Sequence, residues 1–191
     1  GPVYSTLSAL DYVDDGEEVE TGAILMKFNV NRERAEQKTY AKQLELAKES
    51  LRNQTTRNNQ RKETLRRNLL LAQEILKKLT PLQEIGAISA VQILQQRNSV
   101  EQLKDELIQF ELKIIEVESE GMSKIAMLEG NLSIIKTRLR NEKITAPISG
   151  TVFDVKPDSD KYVAQNAEPL LKIVPDGELG AEVIVGNRDI G

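Results

Sequence analysis

The 191 residues carry 26 Lys and Arg against 30 Asp and Glu, a net charge of −4, so no overall basic excess marks a nucleic-acid binder. There is no His and no Cys, which removes the usual zinc ligands, the His general base and the Cys nucleophile. Hydrophobic residues make up 39% but aromatics only 4%, and 29% of residues are charged, a balance that points to thin elements and long exposed helices rather than one thick core.

No run of about 18 apolar residues occurs, so nothing in the sequence is long and apolar enough to cross a membrane as a helix. Gly1-Pro2 has the form of the scar left by a cleaved tag, and the last residues follow directly on strand-like ones. A piece of a longer protein is expected, with any membrane anchor outside it.

Residues 3–30 read as short strands, in which Gly16 and Gly22 punctuate Val13, Val19, Leu25 and Phe28. From Arg32 to Thr80 there is neither Pro nor Gly, which predicts a first helix over about 32–79, some 70 Å long, with Asn31 as its cap. Residues 80–89 break the pattern. Pro81 obstructs the helix, Gly86 permits a positive φ, and Ser89 can cap a second helix over about 90–142. Strand signals return after Pro147, first at 150–155 and then at 169–174.

The second helix carries an apolar seam at Val100, Leu103, Leu107, Phe110, Ile114, Val117, Gly121, Ile125, Leu128, Leu132, Ile135 and Leu139. Its steps alternate three and four, the coiled-coil rhythm, except for a stutter at Gly121. The first helix matches near the break with Leu65, Leu69, Ala72, Leu76 and Leu79, then turns polar at Thr55, Asn58 and Lys62. That polar stretch is either a weakly packed middle or a face turned to water or a neighbour. Residues 32–80 hold thirteen basic and six acidic side chains, residues 90–142 seven and nine, so a basic helix folds onto a mildly acidic one. With an acidic partner at hand and no interleaved aromatics, the basic helix argues against nucleic acid.

The two strand-rich ends repeat each other. Gly16, Val19, Gly22, Leu25 and Phe28 correspond to Asp160, Val163, Asn166, Leu170 and Ile173, with one extra residue before Leu170. Asp and Asn are the residues that best stand in for Gly where the backbone turns left-handed. Two such halves, 3–30 and 144–175, are expected to form one small β-sandwich, since neither alone buries a face. An antiparallel helical pair spanning 31–143 brings them together.

This layout, with Thr145-Ala146-Pro147-Ile148-Ser149-Gly150-Thr151-Val152, resembles the periplasmic adaptors called membrane fusion proteins. The ending at 173–176 and 182–191 is similar to their HlyD-type branch. The resemblance implies an α+β fold: a long antiparallel α-helical coiled-coil hairpin inserted into a split lipoyl-like β-sandwich domain, with 176–191 opening a further β-barrel-type domain. It implies no bound cofactor, so Lys27 and Lys172 are expected to be ordinary strand residues. The family's hairpin tip, an Arg, a Leu four residues on and a Ser seven beyond, is matched by Lys78, Leu82 and Ser89; Lys78 keeps the charge but not the bidentate geometry. With Ile85 and Gly86 these are the candidate contacts to a TolC-type outer-membrane channel.

The same resemblance implies an adaptor in the periplasm, anchored in the inner membrane beside an ABC transporter and serving type I secretion. Its copies would stand in a ring of six, while this fragment alone is expected to be mostly monomeric. An adaptor of a drug-efflux pump is the near alternative. A cytosolic coiled-coil carrier protein would need a Met-Lys-Met or Asp-Lys-Ala turn, and neither occurs. An enzyme fits least, because the paired Glu17 and Glu18 stand with no His, Cys or glycine-rich phosphate loop.

Overall fold

A computed structural model describes residues 7–156, 163–164, 169–177 and 182–186. Among these residues the fold is α+β, with two long helices and two four-stranded antiparallel sheets. In order the elements are β1 (Leu7–Tyr12), β2 (Glu18–Val19), β3 (Ile24–Phe28), α1 (Asn31–Glu84), α2 (Ala90–Arg140), β4 (Lys143–Thr145), β5 (Gly150–Phe153), β6 (Val163–Ala164), β7 (Pro169–Pro175) and β8 (Val183–Gly186). They fall into two compact units, one of Gly1–Gln43 with Leu128–Gly191, the other of Leu44–Met127.

In the first unit the sheets run β4-β3-β1-β6 and, from the opposite edge, β8-β7-β5-β2. Exchanging β1–β4 for β5–β8 turns one order into the other. β2 leaves its own half to pair with β5, and β6 crosses the other way to pair with β1. Burial repeats with the topology. β3 and the first five residues of β7 share one pattern, in which the second, third and fifth residues are buried and the fourth, Lys27 or Lys172, is half-buried. Leu25 and Phe28 thus occupy the places of Leu170 and Ile173, and Gly16 and Gly22 adopt φ of 85° and 87°. Asp160 and Asn166, their expected counterparts, lie outside the described residues.

One core joins the halves, built from Val19, Leu25, Phe28, Val152, Leu170 and Ile173 with their neighbours. Each such side chain removed from water stabilises by about 1.5–3 kcal/mol, so a half that exposed this face would not hold. The strand expected to open a further domain, Val183–Gly186, instead pairs with β7 and occupies the edge that β4 occupies in the first sheet. The helices occupy the connection between β3 and β4, the equivalent of that between β7 and β8.

The segment Thr145–Val152 pins the halves together. Ala146 is buried, donates its N–H to Ala23 and accepts from Gly22, both at 2.8 Å. Ser149 Oγ accepts from the Thr21 N–H at 2.9 Å. Val152 exchanges backbone bonds with Glu17 and Gly16 at 2.9 and 2.7 Å.

Two helix ends differ from expectation. The cap of α1 is Asn29, whose Oδ1 accepts the Asn31 N–H at 3.0 Å, while Val30 already accepts from Arg34. Asn31 lies inside the first turn. At the far end α1 continues through Pro81 to Glu84. Pro81 donates no N–H there, so its own ladder bond is missing, and the Thr80 hydroxyl adds a bond to Leu76 O at 2.8 Å.

Within the second unit the helices are antiparallel. Contacts run from Leu51 beside Gly121, through Thr55 with Glu118 and Arg61 with Glu106, to Gln96 with Ala72. The seam read from the sequence holds: Val100 and Leu128 are buried and Leu103, Leu107, Phe110, Ile114, Val117 and Ile125 half-buried. The polar stretch of α1 faces α2 and not water. Thr55, Asn58 and Lys62 are half-buried, and the Lys62 ammonium lies 3.0 Å from Glu111. A hydrogen bond from Lys62 holds the Glu111 carboxyl below its usual range; desolvation works against this, and the charges of Lys62 and Arg66 reinforce it.

Because Glu111's pKa is depressed on folding, its contribution is complete above the ordinary carboxylate range and is lost as pH falls through the depressed value. Urea unfolding of wild type and Glu111→Gln is therefore expected to differ at pH 7 and to converge in acid. A gap that persists at the lowest pH would assign the difference to shape and not charge.

Gly121 explains the stutter. A Cβ there would lie 2.7 Å from Leu51 Cδ1, so its absence makes room for that leucine. Gly130 in the same helix meets nothing within 4 Å. Gly130→Ala is expected to raise stability by about 1 kcal/mol from helix propensity alone. Gly121→Ala should gain clearly less, because Leu51 must swing aside. Equal gains in thermal unfolding would deny the Leu51 contact any weight.

Candidate functional site, the turn between the helices

Five residues, Ile85 to Ser89, join the two helices. Both ends are closed by the chain itself. Gly86, at φ 76°, donates its N–H to Gln83 O at 3.0 Å, and Ala87 donates to Leu82 O at 2.8 Å. This pair of bonds is a Schellman motif, which needs the left-handed residue that Gly86 supplies. On the other side the Ser89 hydroxyl accepts the Gln92 N–H at 3.2 Å, and Gln92 Oε1 accepts the Ser89 N–H at 3.0 Å. That is a reciprocal capping box. Ile88 and the buried Ile93 hold the two positions of a hydrophobic staple around it.

The sequence expectation gathered Lys78, Leu82, Ile85, Gly86 and Ser89. The structure places Leu82, Ile85, Gly86 and Ser89 on or beside the turn, and Lys78 one helical turn before Leu82, exposed and without a carboxylate partner among the described residues. The roles separate. Gly86 and Ser89 hold the backbone. Leu82, 40% exposed, and Ile85, 78% exposed, do not complete the core. Sequence reasoning passed over Val91 and Leu94, both 61% exposed in the first turns of α2. Their signal was present: both lie off the seam that starts at Val100.

What this arrangement offers is a firm backbone presenting apolar side chains to a partner. Among the described residues no group of His, Cys, Asp and Glu could hold a metal ion.

No protein-family profile matches the chain. Among curated proteins it is 29% identical, over 147 residues, to leukotoxin secretion protein D of Pasteurella haemolytica-like sp. (strain 5943B). The match takes in 63% of this chain and 31% of that protein, so the chain spans about a third of its relative's length. The resemblance to HlyD-type membrane fusion proteins drawn from the sequence is borne out by this relative. Solved structures of the periplasmic adaptor protein EmrA and of the soluble domain of LipC, a membrane fusion protein of a type I secretion system, are also similar. EmrA is 17% identical at a TM-score of 0.36, over 91% of this chain and 72% of that one. LipC is 14% identical at 0.37, over 90% and 97%. Overlaps this loose decide nothing about the fold, which rests on the strand register and helix contacts above.

Proposed function

We propose that this chain is the central part of a periplasmic adaptor of type I secretion, linking an inner-membrane ABC transporter to a TolC-type outer-membrane channel. The observation that carries the reading is the likeness to leukotoxin secretion protein D, a protein named for secretion, which favours protein export over drug efflux. The two halves repeated around one core support a split lipoyl-like domain, and the helices inserted at one of its hairpin connections support a periplasmic hairpin. Its work is mechanical. The β unit holds the base of the helices, and the turn at 85–89 meets the channel through Leu82, Ile85 and Ser89, with Lys78 beside them. Anchoring in the inner membrane belongs to parts of the protein beyond these 191 residues.

The test is export in cells that keep the transporter and the channel but lack this protein. Secreted protein should vanish from the medium and return when the full-length gene is restored. Undiminished secretion without it would reject the reading.

A further inference from the structure

The dipeptide Asp-Gly occurs twice, at 15–16 and at 176–177. It is the sequence in which an aspartyl side chain is most open to attack by its own backbone, because Gly has no Cβ to hinder the amide nitrogen that follows the Asp. Both glycines have positive φ, 85° for Gly16 and 84° for Gly177, and in both a Glu comes next. What surrounds the two pairs differs.

At the first pair both reacting groups are tied. The Gly16 N–H donates to Val152 O at 2.7 Å, and Asp15 Oδ1 accepts the Val155 N–H at 2.9 Å. Closing a ring between them would break both bonds. At the second pair nothing holds either group. Asp176 and Gly177 are exposed, and neither the Asp176 carboxyl nor the Gly177 N–H has a hydrogen-bond partner among the described residues.

We propose that Asp176 is a modification site at which the backbone rearranges to isoaspartate. The Gly177 nitrogen attacks the side-chain carbonyl carbon of Asp176 in its acid form. A C–N bond forms, the amide proton and the side-chain hydroxyl leave as water, and a five-membered succinimide results. Water then cleaves the ring at the main-chain carbonyl. Gly177 is left joined through the former side-chain carbonyl, with one more backbone carbon and a free α-carboxylate. One water leaves and one returns, so the composition is unchanged and no co-reactant is needed. The extra carbon enters the connection between β7 and β8, directly after Pro175, where β7 ends. Among the described strands β8 pairs with β7 alone, so an altered connection acts on the one ladder that holds it, at Ile173 with Val183 first. Isomerised copies hold β8 less firmly. The site lies in the β unit and needs nothing from the adaptor reading.

The test keeps purified protein folded in warm, mildly acidic buffer and then digests it. Asp and isoaspartyl peptides have equal mass and separate by chromatography. An isoaspartate-specific carboxyl methyltransferase with labelled S-adenosylmethionine identifies the product. Isoaspartate is expected at 176 in excess of that at 15 by about tenfold or more, since Asp15 must first give up two hydrogen bonds. In urea, where neither pair is held, the two should accumulate alike. Asp176→Glu, whose carboxyl would have to close a larger ring, should give no product at 176. Amide exchange at 183–186 should be faster in isomerised copies than in unmodified ones. Four results would each overturn the inference: no isoaspartate at 176 in folded protein, equal amounts at 15 and 176 while folded, a difference that persists in urea, or equal exchange at 183–186 in both kinds of copy.

Discussion

Gly150→Ala is expected to destabilise the β unit by about 3 kcal/mol, the upper end of what an overfilled core costs. The added Cβ would lie 2.8 Å from the Val174 carbonyl carbon, closer still to its oxygen, and 2.9 Å from Ile173 Cγ2. Val174 is the register partner of Thr151, beside Gly150 on β5, so the obstacle is paired backbone and cannot swing aside as Leu51 can. Relief would require β5 and β7 to separate, opening the layer that holds Val152 and Ile173, neither of which is exposed at all. Circular dichroism, dominated by the helices, would barely register this. Amide exchange of β5 and β7 should accelerate sharply, with the 44–127 amides unaltered. Slow exchange at β5 in the variant would contradict the packing described here.

The second large effect is expected at the turn. Leu82→Asp should abolish export while leaving the helices folded, because Leu82 is 40% exposed and the turn is closed by backbone bonds that do not use its side chain. A carboxylate there is harmless in water and costly once a partner strips its hydration. Ser89→Arg should abolish export too, at an added cost of about 1 kcal/mol for the lost cap. Secretion from cells carrying each variant, with circular dichroism of the purified chains, separates the cases. Normal export by both would deny the turn a docking role. Loss of helicity in both would show that Leu82 and Ser89 serve folding alone.

The helices were legible because periodicity writes itself along a single segment. Val100 to Leu139 announces its seam whatever it packs against. The halved β unit was legible for a different reason: Leu25 and Phe28 recur as Leu170 and Ile173, and equal spacing around equal burial survives divergence of the turns between them. Sequence reasoning went astray where the outcome hung on one bond. Whether Asn29 or Asn31 caps α1 depends on whether the Asn29 side chain reaches the Asn31 N–H or the Asn31 side chain reaches an N–H two or three residues on, and Pro81 reads as a stop although the helix continues past it to Glu84. The pairing of Val183–Gly186 with β7 was not legible either, since nothing local says which sheet a lone strand joins. At the turn, Gly86 and Ser89 are legible from residue type alone. The exposure of Val91 and Leu94 follows only once the direction of the facing helix is known.

The chain contains no Cys, so Ile85→Cys gives a single thiol at the most exposed apolar position of the turn. Placed in the full-length protein in cells that hold its transporter and channel, it permits cross-linking with a short thiol–amine reagent. The adaptor reading predicts an adduct of adaptor and outer-membrane channel from Ile85→Cys, lost when Leu82→Asp is added. It predicts none from Leu46→Cys, an exposed site on α1 about 60 Å of helix away. No channel adduct from Ile85→Cys, or equal adducts from both positions, would contradict it.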